Sequence, residues 1–165
     1  MTHDPRMAAH LACLKLNSRL LVNCFRDVGA EAALHRPTPR NNNMAFLGAH
    51  LVDARRYLAN LLGPEVDNPF PELAEGTGID DFPELPDVER VLAAWRELGE
   101  VVAARMAAAG AEQLDAAAPI DFGIEDRSLL GGVAFLLHHE SYHVGQLAFL
   151  RKMAGLPAMT YDDVG

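Results

Sequence analysis

The chain is poor in cysteine, in clustered positive charge and in long apolar runs, and each shortage removes a class of protein. Its two cysteines, Cys13 and Cys24, lie 11 residues apart in what reads as one helix. At ~1.5 Å rise per residue that places them about 16 Å apart, far beyond the ~7 Å limit for a disulfide. They read as small core residues. Lys and Arg number 14 against 23 Asp and Glu, a net charge of −9, and no Lys/Arg run occurs. That argues against a nucleic-acid partner, because gripping a phosphate backbone takes clustered cations. No apolar run approaches the ~20 residues a membrane span needs. The N-terminus, "MTHDPRMAAHLACLKLN", lacks a charged region followed by a clean apolar one. The expectation is a cytoplasmic protein with no membrane association. Sustained strand-like alternation, internal repeats and low-complexity tracts are also missing.

What is present is helix. Half of the 165 residues are hydrophobic, enough for one domain over 1–165 with a proper core. The first helical segment runs from about Pro5 to Val28, with Leu11, Leu14, Leu21, Val22 and Phe25 near helical spacing and Gly29 as its stop. Pro37 and Pro39 break the connection that follows. A second helix runs from about Asn43 to Leu62, capped by the asparagines before it and ended by Gly63-Pro64. Residues 64–86, with Pro69, Pro71, Pro83, Pro86, Gly76 and Gly78, form a long loop of the kind that often serves function. The third helix runs from near Asp87 to Ala109 with Val91, Leu92, Trp95, Leu98 and Val102 inward, and Gly110 closes it. A second loop, "AEQLDAAAPIDFGIED", has room for a short extended piece. The fourth helix runs from about Arg127 to Ala154, with Asp126 as candidate N-cap, Gly155 as stop, and a tail beyond. The fold class is all-α, a helix bundle.

The fourth helix contains "FLLHHESYHVGQLAFL", and within it His139-Glu140-Ser141-Tyr142-His143, a literal H-E-x-x-H. At ~100° per residue His139 and His143 differ by about 40° and stand one turn apart, so both can face one metal ion. Phe135, Leu136, Gln146, Leu147 and Leu150 fall within roughly 60° of that direction. The pair is thus expected to point into the bundle core, with Gln146 beside it. Glu140 flanks the pair, read as a solvated flank with catalytic base as its other role. His138 points about 100° the other way and is peripheral.

H-E-x-x-H is the signature of zinc peptidases, but the rest of that pattern is missing. One form requires Gly three residues after the second His and a further His beyond; here Gly145 comes two residues after His143. The other uses a downstream Glu, and none follows Glu140; only Asp162 and Asp163 remain, in the tail. Strands to align a peptide are absent too. A motif fixing three positions recurs by chance, and the zincin reading is set aside.

A third ligand is better sought upstream, among His3, His10, His35 and His50. His50 is placed best, on the face of the second helix that carries Phe46, Leu47, Ala54, Tyr57 and Leu61. On its own it also reads as a core histidine with a hydrogen-bond partner. A bundle that lays the second helix against the fourth would join it to His139 and His143. Asp53 and Tyr57, one and two turns beyond His50, are candidates to support the site or its chemistry, as Glu140 is.

"GAHLVDARRYL" in the second helix and "HHESYHVGQLAFLRKMAGLP" in the fourth resemble the DinB/YfiT-like superfamily of four-helix-bundle proteins. The family's helix-2 histidine is matched by His50. Its H-x-x-x-H-x-G-Q element is matched by His139, His143, Gly145 and Gln146, which leaves Glu140 at a variable position. The Asn-rich approach to the second helix and the closing Gly155 to Pro157 also fit, and the resemblance spans about residues 7–157.

The resemblance implies an up-down-down-up four-helix bundle. It implies a divalent metal, zinc or nickel, on three histidines with positions left open. It also implies a small-molecule substrate and a homodimer, for which the apolar first helix offers a surface. Characterised relatives include transferases and isomerases that use low-molecular-weight thiols, and many others are named as metal-dependent hydrolases. Three neutral imidazoles leave a metal its full charge, which lowers the pKa of a bound water or thiol. The expected chemistry is hydrolysis of, or thiol transfer to, a small electrophile. The alternative is a bundle that binds metal or a small molecule without turnover.

Overall fold

A computed structural model describes residues 4–73, 76 and 78–162. His3 and Asp163 lie outside the described residues. The elements in chain order are α1 (Met7–Phe25), α2 (Ala30–Leu34), α3 (Met44–Leu62), α4 (Val88–Ala108), α5 (Ala111–Asp115) and α6 (Leu129–Met153). Two short 3-10 turns, Pro71–Leu73 and Ile79–Asp81, interrupt the long connection before α4. Among the described residues there is no strand, and no helix is long and apolar enough to cross a membrane. The extended piece expected in the second loop reduces to a single bridge between Ala117 and Ser128.

Side-chain caps set the starts of three long helices. Asn43 accepts from the Phe46 amide at 2.8 Å and Asp87 from the Arg90 amide at 2.8 Å, satisfying donors the first turn leaves unpaired. Ser128, not Asp126, caps α6: its hydroxyl accepts from the Gly131 amide, while Asp126 accepts from the Ser128 amide and shapes the turn before it. α1 ends at Phe25, earlier than Gly29 suggested, because Asp27 takes a left-handed conformation at φ 58°. Gly29 and Gly110 precede short helices, α2 and α5, that "AEAAL" and "AEQLD" form after the longer ones have stopped. Gly155 does end α6, with φ 78°, its amide reaching back to the Lys152 carbonyl and that of Leu156 to Arg151.

α1 packs against α4 and α6, and α3 packs against the same two helices. The interior they enclose has two apolar halves. One gathers Leu21, Cys24, Phe25, Leu47, Leu51, Trp95, Val144 and Leu147; the other gathers Met7, Leu14, Leu58, Leu62, Val102, Met106, Val133 and Leu137. Between them, halfway along the bundle, lies a polar layer of Asn17, Ser18, Arg55 and Glu140. Cys13 and Cys24 are free, with Cys24 fully buried and its thiol pushed up to about 12 by that burial.

Candidate metal centre

α6 has little to separate one face from the other, since apolar side chains surround it. Packing against both α1 and α3 decides which face is innermost. Val133, Leu137, Glu140, Val144 and Leu147 fill the interior. His139 and His143 sit to one side of that row, half-buried in the crevice between α6 and α3. The pair therefore does not point into the centre of the bundle as its spacing suggested.

α3 shows the same offset. Its innermost row is Leu51, Arg55, Leu58 and Leu62, whereas Phe46, Ala54, Tyr57 and Leu61, on the His50 side, are only partly buried. The two histidine-bearing flanks meet in the crevice. His50 Nε2 lies 3.1 Å from His139 Nε2, and His143 Nε2 lies 3.1 Å from the same atom. The three rings meet edge to face, with centroids 4.5–5.0 Å apart. One ring nitrogen from each of the three lies within 4.8 Å of the others, an arrangement able to hold a metal ion.

The surroundings fix two of the rings. His143 Nδ1 is 2.6 Å from Gln146 Oε1, which can only accept, so Nδ1 carries the proton and Nε2 presents its lone pair. Gln146 Nε2 in turn donates to the Tyr142 hydroxyl at 3.2 Å. His139 is stacked on Phe135, and its Nδ1 is buried with no hydrogen-bond partner among the described residues. Burial first, then the neighbouring His143, His50 and His138, lowers the pKa of His139 to about 4. Burial and His143 lower His50 as well, against an opposing pull from Asp53. Both rings are thus neutral at neutral pH.

Glu140 is a correction to the sequence reading. It is neither a solvated flank nor a free base: it is 1% exposed, and Arg55, at 0%, donates to both of its oxygens at 2.9 Å. Asn17 donates to it at 3.3 Å. Arg55 also donates to Ser18 and stacks on Trp95, 3.1 Å from the ring centroid. The sequence carried only a positional hint: Arg55 falls in the Leu51–Leu58 row and Glu140 in the matching row of α6, which has meaning once packing identifies those rows as innermost.

Tyr57 turns its ring to Phe122. Asp53 pairs with Arg56 at 3.2 Å. Both Asp53 and Arg56 line a cavity of about 200 Å³ that also takes in His50. Its far wall is the long connection, through Phe70, Leu73 and Phe82. Asn41, Asn42 and Asn43, before α3, are not part of its lining. His10, His35, His138 and Asp162 lie outside the three-histidine group.

A family model, the DinB superfamily, matches residues 14–147, a span that contains His50, His139, His143 and Gln146. The chain belongs to that superfamily. No curated protein matches it in sequence.

Proposed function

We propose that this member of the DinB superfamily holds one divalent metal ion, zinc or nickel, on His50, His139 and His143, and acts on a small electrophilic substrate as a hydrolase or a low-molecular-weight-thiol transferase. The observation that carries the reading is the meeting of three Nε2 atoms from two helices, two of the separations being 3.1 Å. Donors ~2.0–2.1 Å from a tetrahedral ion stand roughly 3.3 Å apart, and somewhat less around an octahedral one. The observed spacing fits both ions. Without a cation, an Nε2 proton would satisfy only one of the two 3.1 Å contacts and leave unprotonated nitrogens facing each other in the second.

When bound, such an ion acidifies a water or thiol and polarises an electrophile. The chain's own residues do the rest. His50, His139 and His143 would hold the ion. Gln146 holds the His143 ring by accepting a hydrogen bond from its Nδ1–H. The cavity beside His50 receives the substrate. Asp53, exposed on that cavity, is the carboxylate placed to exchange protons there, because both oxygens of Glu140 are taken by Arg55. That engagement also speaks against a zincin mechanism. It equally favours the second reading, a bundle that binds without turnover, since the carboxylate closest in sequence to the histidines is committed elsewhere.

The same reading takes the chain as one domain, 1–165 with its core at about 7–157, in up-down-down-up order. In support, contacts run in the same order along α1 and α6 (Asn17 with Leu137, Cys24 with Val144) and along α3 and α4 (Arg55 with Trp95, Ala59 with Arg105). They run in opposite order along α3 and α6 (His50 with His143, Arg55 with Glu140). A homodimer is proposed on the exposed Tyr142, Phe149 and Met153, which share one outer stripe of α6. The net charge of −9 speaks against a nucleic-acid partner, and the two free cysteines fit a cytoplasmic protein.

Metal analysis of the purified protein and its His143→Ala variant is the primary test. One equivalent in the first and a large loss in the second are expected; full occupancy in the variant would sink the site. Turnover is tested with esters, with electrophiles offered alongside small thiols, and with casein. Metal-dependent casein cleavage that Glu140→Gln abolishes would restore the peptidase.

A further inference from the structure

The cavity beside His50 has an uneven lining that favours one kind of guest. Phe46 lies nearly parallel to the His50 ring, at 8° and 6.4 Å, and Phe82 faces Phe46 at 6.1 Å. Phe70, 3% exposed, completes an aromatic wall. At the other edge stand Asp53 and Arg56. Arg56 Nε and Nη2 both donate to a single oxygen, Asp53 Oδ1, at 3.2 Å, so Nη1 keeps its donors free of protein partners among the described residues. The pair is unequal in depth. The Arg56 side chain is 21% exposed and that of Asp53 is 60% exposed. The cation is packed into the wall while the carboxylate faces water.

We propose that this cavity binds small aromatic carboxylates, the carboxylate on the free edge of Arg56 and the ring against Phe46 and Phe82. A guanidinium edge is suited to two parallel hydrogen bonds with a carboxylate, which makes the charged oxygens, not the ring, the oriented end. Three phenyl rings reward a flat apolar body and do not fix its orientation. At about 200 Å³ the space is below the usual range for larger ligands and holds a single ring. An aromatic cation is the weaker guest, because the one anion in the described lining is the solvated partner. The proposal rests on the metal reading only in taking the bound acid as the substrate's anchoring half; the binding itself requires no metal.

The test is calorimetric titration of the full chain, metal-free and metal-loaded, with phenylacetate, phenylacetamide, benzylamine and acetate. Phenylacetate should bind saturably in both forms, about tenfold or more tighter than the other three. Arg56→Gln should remove that preference and leave phenylacetamide unchanged. Phe82→Ala should weaken phenylacetate and phenylacetamide together. Circular dichroism checks that each variant is folded, and Arg56→Lys, which keeps charge without the fork, should fall between wild type and Arg56→Gln. Equal or tighter binding of the amide or amine, no saturable binding of phenylacetate, or an unchanged Arg56→Gln would overturn the proposal. In His143→Ala, lost metal with retained phenylacetate affinity would separate this site from the metal centre. Metal retained by a wild-type chain that ignores phenylacetate would sink the cavity proposal alone.

Discussion

Arg55 Nε and Nη2 each lie 2.9 Å from an oxygen of Glu140, and neither side chain meets solvent. The pair ties α3 to α6 at the level of the three histidines, His139 being next to Glu140 in the chain. Two charges out of water are tolerable only because their remaining hydrogen-bonding capacity is met, here by Asn17, Ser18 and the Trp95 carbonyl, while the guanidinium stacks on the Trp95 ring.

Removing one partner should therefore cost far more than removing both. Arg55→Met or Glu140→Leu leaves a bare buried charge and is expected to lower unfolding free energy by about 3–5 kcal/mol. The double replacement, with two apolar groups of similar size, should recover most of that loss. Urea unfolding of the three variants checks it. Single variants as stable as wild type would mean that water reaches the layer.

The four long helices were largely legible because Asn43 and Asp87 sit at local starts and because proline and glycine cannot be carried through a helix; the cap of α6 was misplaced by two residues, at Asp126 and not Ser128. The short helices were not, since five-residue stretches such as "AEAAL" carry no period. The histidine group was legible from the one-turn spacing of His139 and His143 together with His50. The polar layer was not. A periodicity that scores only apolar residues places Phe46 and Tyr57 on the inner face of α3, and it takes Arg55 and Glu140 as surface. Only the packing of α6 between two helices reveals which flank is innermost.

Acid should destabilise the metal-free protein in a window set by the histidines. His139 is held at about 4, below its ordinary 6.5, and His50 is lowered in the same direction. Between those values the unfolded chain binds protons that the folded chain refuses, so stability falls as pH drops from about 6.5 toward about 4. Above that window neither group contributes. Denaturation midpoints of chelator-treated protein from pH 7.5 to 4.5 should show the slope, and His139→Gln should flatten it. An equal slope in the variant would assign the effect elsewhere.

Two glycines of α6 should respond oppositely to alanine. A Cβ on Gly131 would crowd the Asp126 carbonyl oxygen, a backbone atom that cannot swing away. Gly131→Ala is expected to destabilise by about 1–3 kcal/mol, as overpacking does. A Cβ on Gly145 meets nothing within 4 Å. There the ordinary helical preference applies, and Gly145→Ala should gain up to about 1 kcal/mol. Thermal or urea unfolding reads both, and a stabilised Gly131→Ala would mean that the approach to α6 yields.

Gln146 should set metal affinity without touching the metal. Its Oε1, 2.6 Å from His143 Nδ1, selects the tautomer whose Nε2 lone pair faces His139, and the Tyr142 hydroxyl at 3.2 Å keeps the amide from turning over. Gln146→Ala frees the ring to rotate and to carry its proton on Nε2, where the proton must leave before a cation can bind. Loss of such an outer partner typically costs about 10–100-fold in affinity. Gln146→Glu keeps an acceptor at that position and should restore binding, whereas Tyr142→Phe should have a smaller effect in the same direction. Competition with a chromophoric chelator measures all three. Wild-type affinity in Gln146→Ala would remove Gln146 from the site, and a failure of Gln146→Glu to rescue would mean that shape, not the accepted proton, is what the residue contributes.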